Sequence, residues 1–349
     1  MKTILATGGL GFIGSHTCIS LINKGYDVLI VDSLVNSKLN VLSKIKDICS
    51  ILKIHNKGKI FFEKGDIRDR NWLFQIFEDF KKEGRSIDAV IHFAGLKSVE
   101  ESILSPLRYW DENLNITLSL LSVMDQFDCK TLVFSSSATI YKTKLNKKID
   151  EDSFTEPINA YGNTKLAIEK ILLDLSRNRQ SYWRIANLRY FNPVGAHSTS
   201  LIGEDPKNKA NNIFPIMIKV LEKKLDKLSI FGKDWPTLDG TCVRDYIHVM
   251  DLADSHVAAL RFLISNDPQV INLNIGTGEG TSVLELVNKF NKVNNCKIPF
   301  EFSDRRNGDS PFVVADNSLS LKLLDWKPNM SLEDICKDTW NWFIKKNKN

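Results

Sequence analysis

The 349-residue sequence predicts an α/β fold, a doubly wound parallel sheet followed by a smaller mixed α/β lobe. Three observations predict it. Short apolar runs alternate with amphipathic stretches from Thr3 to Tyr190, the first run enters a glycine-rich turn, and the alternation stops after Asn192.

The first run, Thr3 to Thr7, enters TGGLGFIG (Thr7 to Gly14) and then Ser15 to Lys24, which carries helical periodicity. Gly9, Gly11 and Gly14 match GxGxxG, and Gly8, Gly11 and Gly14 match GxxGxxG. Glycines at this spacing allow a tight turn, close approach of backbone to a pyrophosphate and close packing of helix on strand; a purely structural turn is the alternative. A second strand, Asp27 to Val31, ends in Asp32, about twenty residues beyond the glycines. A carboxylate there accepts hydrogen bonds from ribose hydroxyls and repels a 2′-phosphate, so the Rossmann-type turn favours NAD over NADP.

Residues 36 to 58 are polar and lysine-rich and read as an exposed loop and helix without chemistry. Lys59 to Glu63 is the third strand. Its exit offers Asp66, beside Ile67, either to an adenine or as a cap for the helix predicted over Asp69 to Lys82. Ala89 to Phe93 is a fourth strand ending HFAGLK, where Ala94 and Gly95 let backbone approach a ligand. Lys97 is the one charge there, and a solvated lysine is its alternative. A helix over Pro106 to Phe127 contains Asn113. The fifth strand, Thr131 to Phe134, runs into Ser135 to Thr139, where Ser137 either faces a substrate atom or belongs to a serine-rich turn.

Ala-Tyr-Gly-Asn-Thr-Lys, residues 160 to 165, then heads an amphipathic segment with Ile168, Ile171, Leu172 and Leu175 as its apolar stripe. Tyr161 and Lys165 therefore share a helix face. A free phenol titrates near 10, too high for a base at neutral pH, and a neighbouring ammonium favours its anion. Trp183 to Tyr190 closes the alternation as a sixth strand. The boundary falls after Asn192: residues 1–192 form the dinucleotide domain and 193–349 a second lobe folded onto it, with segments free to cross between them. The second lobe opens with a loop-rich stretch, Pro193 to Ala210, then a helix over Phe214 to Lys224 and a strand over Leu228 to Phe231; Lys345 to Asn349 form a frayed tail. Arg244 and Arg306 are guanidiniums able to pair with a diphosphate, and each could instead pair with a nearby aspartate.

Bulk properties exclude several classes. The net charge of +5 is modest and spread along the chain, which argues against a nucleic-acid groove. No apolar run is long enough to span a bilayer, no signal-peptide pattern opens the chain, and the six scattered cysteines read as reduced core thiols. Cytoplasm is the expected compartment, and no metal site is expected.

Together these residues resemble the UDP-glucose 4-epimerase (UDP-galactose 4-epimerase) family of the extended short-chain dehydrogenase/reductase superfamily. The resemblance runs nearly end to end: TGGLGFIGSHT, HFAGLKSVEES, FSSSATIY, YGNTKLAIE, LRYFNPVGAH, GEDP, GTCVRDYIHVMDLADSH and RRNGD. It implies a catalytic triad of Ser137, Tyr161 and Lys165. It implies NAD contacts at the glycine turn, Phe12, Ile13, Asp32, Asn36, Ser37, Asp66, Ile67, Phe93, Lys97 and Asn113, with Phe191 beside the nicotinamide. It implies UDP-sugar contacts at Asn192, Asn212, Phe231, Arg244, Arg306 and Asp309. A homodimer is implied by resemblance alone.

The implied reaction removes the proton of the sugar 4-hydroxyl to Tyr161 and the C4 hydride to NAD, then returns the hydride to the opposite face after the hexose turns over. Departures from the family pattern are few. Ala160 stands where proline is usual, Lys142 where Tyr-Gly is common, and the segment 44 to 60 is longer than in bacterial relatives. Val313 stands where bacterial members carry tyrosine, and its smaller volume implies room for N-acetylated sugars. A 4,6-dehydratase would need an acid-base pair where Ala138 and Thr139 follow Ser137. A non-catalytic NAD-sensing scaffold would have no use for the triad, and a simple reductase would release NADH.

Overall fold

The computed structural model describes residues 1–143, 146–177, 182–207, 212–306 and 308–347. The end of the expected loop at Ala210 and the last two residues of the expected tail, Lys348 and Asn349, lie outside the described residues.

Strands and helices alternate as β1 (Thr3–Thr7), α1 (Phe12–Asn23), β2 (Asp27–Asp32), α2 (Asn40–Ile51), β3 (Ile60–Lys64), α3 (Arg70–Lys82), β4 (Ile87–His92), α4 (Val99–Leu104), α5 (Pro106–Gln126), β5 (Thr131–Ser137), α6 (Ala160–Arg177) and β6 (Arg184–Tyr190). The continuous apolar runs of β1 and β2 are buried throughout, because helices cover both faces of a parallel sheet. Beyond β6 follow β7 (Asn192–Val194), α7 (Ile213–Leu221), β8 (Leu228–Phe231), β9 (Val243–Arg244), β10 (Tyr246–His248), α8 (Val249–Ser265) and β11 (Val270–Ile275).

The main sheet has seven strands in the order β11-β6-β5-β4-β1-β2-β3, one more than the alternation to Tyr190 predicts. The extra strand comes from the far half of the chain: β11 pairs in parallel with β6 from Val270↔Ile185 to Ile275↔Tyr190. Helix α8 likewise packs along α1, where Leu252, Val257 and Leu260 join Ile19 and Ile22 in one core. The order reverses at β1, which lies between β4 and β2, so the crevice beyond the carboxyl ends of β1 and β4 is the topological switch point.

Several boundaries move for local reasons. Helix α1 starts at Phe12 rather than Ser15, because Gly11 takes the extended N-cap conformation. Asp69 caps α3 by accepting from the Trp72 N–H at 3.0 Å, so the alternative of Asp66 as that cap is wrong. A short helix absent from the expectation, α4, starts where the Ser98 hydroxyl accepts from the Glu101 N–H at 3.2 Å. Residues Ser135 to Ser137 are strand rather than turn, since pairing with β6 continues to Ser137↔Tyr190. Helix α7 stops at Leu221, and Lys223 then adopts φ +58°, which a helix cannot continue through.

The second lobe has its own core of Phe214, Met217, Leu286, Val287, Phe290 and Ile335. Among the described residues, no helix is long and apolar enough to cross a membrane.

Candidate active site

The glycine turn sits at the switch point. Gly8 has φ +66°, and a Cβ there would lie 3.0 Å from the Ala94 nitrogen, so strand ends β1 and β4 meet only through glycine. A Cβ on Gly14 would lie 2.5 Å from the Gly8 carbonyl oxygen, which is how closely helix and strand pack here. Gly11 donates to that same oxygen at 3.0 Å, and Phe12 and Ile13 form the first turn of α1. Bare backbone at a helix N-terminus suits a diphosphate.

Asp32 ends β2, buried beside this turn. Its Oδ2 accepts from the Leu10 N–H at 3.0 Å, and Oδ1 accepts from the Leu34 N–H at 2.8 Å and the Ser37 hydroxyl at 2.6 Å. The carboxylate thus fixes both flanking loops, including Asn36, and keeps lone-pair capacity for a further donor. Asp66 lies past the end of β3, half-exposed and paired with Arg68, which holds its carboxyl below the usual range; Ile67 beside it is buried.

Beyond β4, Phe93 packs against the His256 ring at 4.9 Å, and Ala94 donates to the Thr7 hydroxyl at 3.3 Å. Asn113 clamps the loop carrying Gly95 and Lys97. Its Oδ1 accepts from the Leu96 N–H at 2.7 Å, while Nδ2 donates to the Leu96 carbonyl at 3.2 Å and to the Thr164 hydroxyl at 3.1 Å. Helix α5 therefore ties the β4 loop to α6 at the residue just before Lys165.

The triad residues converge at the carboxyl end of β5. Tyr161, in the first turn of α6, has the Ser137 hydroxyl as the neighbour that favours its anion. That hydroxyl also accepts from the Thr139 N–H at 3.2 Å and the Thr139 hydroxyl at 3.0 Å, which fixes its rotamer. Lys165 does not grip the phenol. Its ammonium donates to the Ser135 carbonyl at 2.7 Å and lies over the rings of Phe134 at 4.8 Å and Tyr161 at 5.8 Å. Burial pushes the Tyr161 phenol up to about 12, partly opposed by the Ser137 hydroxyl. Burial pulls the Lys165 ammonium down to about 8, partly opposed by Glu169. In the protein alone desolvation is the largest influence on both groups, raising the phenol and lowering the ammonium.

The second lobe supplies the other expected contacts. Arg244 donates to the Val243 carbonyl at 2.9 Å and the Ser310 carbonyl at 2.7 Å, and its other nitrogen lies 3.5 Å from Asp309. Arg306 approaches Asp309 at 3.3 Å and lies over the Phe231 ring at 4.3 Å. One carboxylate between two arginines brings Phe231, Arg244, Arg306 and Asp309 together. Val313 pairs with Arg244 between neighbouring strands and packs against a cluster containing Ala138 and Phe191, which joins this group to the triad side. Asn192 follows Phe191 and donates its N–H to the Asp245 carbonyl at 3.0 Å.

Three residues of this arrangement escape the sequence reading. Glu204, in the GEDP segment, is 8% exposed and spends one oxygen on both the Lys97 ammonium at 3.3 Å and the Asn212 amide at 2.6 Å. Asp245 is fully buried beneath the 276–278 loop. Arg189 pairs with Glu169 behind the triad. Only the GEDP and VRDYIHV strings carry any hint of the first two, because Lys97 and Thr277 lie far from them in the chain.

The comparisons with known proteins agree with this geometry. The model of the NAD dependent epimerase/dehydratase family matches residues 4–276. A UDP-glucose 4-epimerase of Cyamopsis tetragonoloba is 46% identical over 342 residues, covering 98% of this chain and 94% of that protein. A bifunctional UDP-glucose 4-epimerase and UDP-xylose 4-epimerase of Arabidopsis thaliana is 44% identical over 345 residues, covering 99% of this chain and 96% of that protein. A solved UDP-glucose 4-epimerase from Stenotrophomonas maltophila, with bound NAD and formylated UDP-arabinopyranose, is 43% identical with a TM-score of 0.93, covering 100% of this chain and 99% of that one. With glycine turn, Asp32 and the Ser137–Tyr161–Lys165 group held in one frame, this protein belongs to the NAD dependent epimerase/dehydratase family, among its UDP-glucose 4-epimerases.

Proposed function

We propose that the chain is an isomerase that interconverts UDP-galactose and UDP-glucose by transient oxidation at C4 and holds NAD between turnovers. The observation that carries this reading is the convergence of Ser137, at the end of β5, with Tyr161 and Lys165, in the first turns of α6, whose ammonium is anchored on the Ser135 carbonyl of the same strand end. Bare backbone at Gly8 and Gly14 and a buried Asp32 fit a dinucleotide. NAD, when bound, accepts the C4 hydride, returns it to either face and places positive charge beside the phenol.

The geometry supports the following roles. Tyr161 Oη takes the proton of the sugar 4-hydroxyl, leaving a 4-keto sugar, and gives the proton back. Ser137 Oγ, beside the phenol, holds the hydroxyl in line. Lys165, anchored on the Ser135 carbonyl, supplies the local cation. Arg244 and Arg306 keep the diphosphate fixed while the hexose turns over, and Phe231, Asn192, Asn212 and Asp309 complete the nucleotide-sugar pocket. Ala138 and Thr139 carry no carboxyl group, so a dehydratase lacks its acid here.

The test is turnover on a panel of UDP-galactose, UDP-GlcNAc and UDP-xylose without added cofactor. UDP-galactose is expected to give UDP-glucose with no net NADH, and no conversion would defeat the assignment. Val313 leaves room that tyrosine would fill, so UDP-GlcNAc is expected to turn over measurably, while brisk UDP-glucose turnover with untouched UDP-GlcNAc would end that part.

We further propose a cytoplasmic homodimer. On α5, Leu107, Trp110 and Leu118 share one face at 83%, 38% and 38% exposure, next to Ile103 and Leu104 of α4. Such a stripe is costly in water and suits a second copy. Sedimentation is expected to give a dimer that Leu107→Glu with Leu118→Glu converts to monomer; a monomeric wild type would refute it.

A further inference from the structure

Behind the reacting pair lies a buried charge that the roles above leave unused. Glu169 follows Lys165 by one turn of α6, so Tyr161, Lys165 and Glu169 recur every four residues along one face. Its carboxylate is 6% exposed and is gripped by Arg189 of β6, whose Nε donates to Oε1 at 3.0 Å and Nη2 to Oε2 at 2.7 Å. The hydroxyl of Ser136, the neighbour of Ser137, donates to the same Oε1. On its far side, Arg189 Nη1 donates to the Tyr141 hydroxyl at 2.6 Å and the Glu151 carbonyl at 2.9 Å, and Tyr141 donates to Asn274 of β11 at 2.8 Å.

A cluster that only cemented α6, β6 and β11 together could be apolar, since a buried ion pair rarely outdoes good packing. This one is placed where its charge matters. We propose that Glu169 is a positioning residue for the proton-transfer pair: its anion keeps Lys165 protonated, and its bond from Ser136 fixes the strand end that carries Ser137. The inference rests on the function proposed above.

The groups near Lys165 are Tyr161 and Glu169 on its own helix, His92 on β4, and Arg189 and Tyr190 on β6. His92 is buried and neutral, its pKa pulled down to about 3 by burial and then by Lys165. Of these groups Glu169 supplies the carboxylate, ion-paired with Arg189, and it opposes the burial that lowers Lys165. Removing a negative charge makes a cation easier to deprotonate, so the alkaline limb of activity must move to lower pH.

The experiment is the pH profile of kcat/KM for UDP-galactose with the holoenzyme, whose limbs report the essential acid and base. Glu169→Gln is expected to move the alkaline limb down by about one pH unit, with acid-side rates changed much less. Tyr141→Phe cuts the same cluster beyond Arg189 and is expected to leave the limb in place. Should Glu169→Gln fail to fold, the double variant Glu169→Gln with Arg189→Met, which removes a cation along with the anion, is expected to move the limb in the same direction but by less. A limb that stays put when Glu169 loses its charge, or that Tyr141→Phe moves equally, would overturn the inference. Failure of the underlying reading would instead show as undiminished turnover in Tyr161→Phe.

Discussion

Tyr161→Phe is expected to lower kcat at least ~100-fold while the protein stays folded and retains its dinucleotide. The hydroxyl is the only group removed, and the ring keeps its place in the first turn of α6. The neighbouring Ser137 oxygen keeps its two donors, the N–H and hydroxyl of Thr139, so it is not orphaned. A 100-fold loss is about 2.7 kcal/mol of transition-state stabilisation. Because substrate is held mainly by the second lobe, kcat is expected to fall far more than KM rises. Steady-state kinetics on UDP-galactose, beside the absorbance of bound cofactor, make the measurement; near-wild-type kcat would remove Tyr161 from the role.

Asp245→Ala is expected to cost about 3 kcal/mol or more of stability and to loosen the diphosphate grip. Asp245 is fully buried and takes four hydrogen bonds. Oδ1 accepts from the Thr277 N–H at 2.8 Å and the Thr277 hydroxyl at 2.7 Å, and Oδ2 accepts from the N–H groups of Gly278 at 2.9 Å and Ala315 at 3.2 Å. Alanine leaves three backbone N–H groups without a partner, each costing about 1–3 kcal/mol. The damage falls next to Arg244 and to the backbone that pairs Val313 with it. The urea midpoint is expected to drop and KM for UDP-galactose to rise, whereas wild-type values for both would show that the loop is held otherwise.

The site was legible where local spacing fixes geometry. A strand, glycines at 8, 11 and 14 and a helix leave few folds open, and Asp32 then falls at the next strand end whatever packs around it. Four-residue spacing puts Tyr161 and Lys165 on one face of any helix. Asp66 was ambiguous because cap and ligand draw on the same carboxylate, and only the Trp72 N–H on Asp69 decided it. The seventh strand was invisible because nothing in Val270–Ile275 names its partner β6, about eighty residues earlier. Lys97 read as a lone charge because Glu204 lies 107 residues away in the chain.

The sequence alone therefore determined the glycine turn, the shared helix face of Tyr161 and Lys165 and the family, all of which depend on residue types at short fixed spacings. The tertiary structure decided their protonation and support. Tyr161 is pushed up and Lys165 down by the segments that bury them, and the carboxylates of Glu169, Glu204 and Asp245 find their partners only after distant segments meet. The physical reason is that desolvation and buried hydrogen bonds belong to the packed environment of a group, and spacing along the chain does not encode that environment.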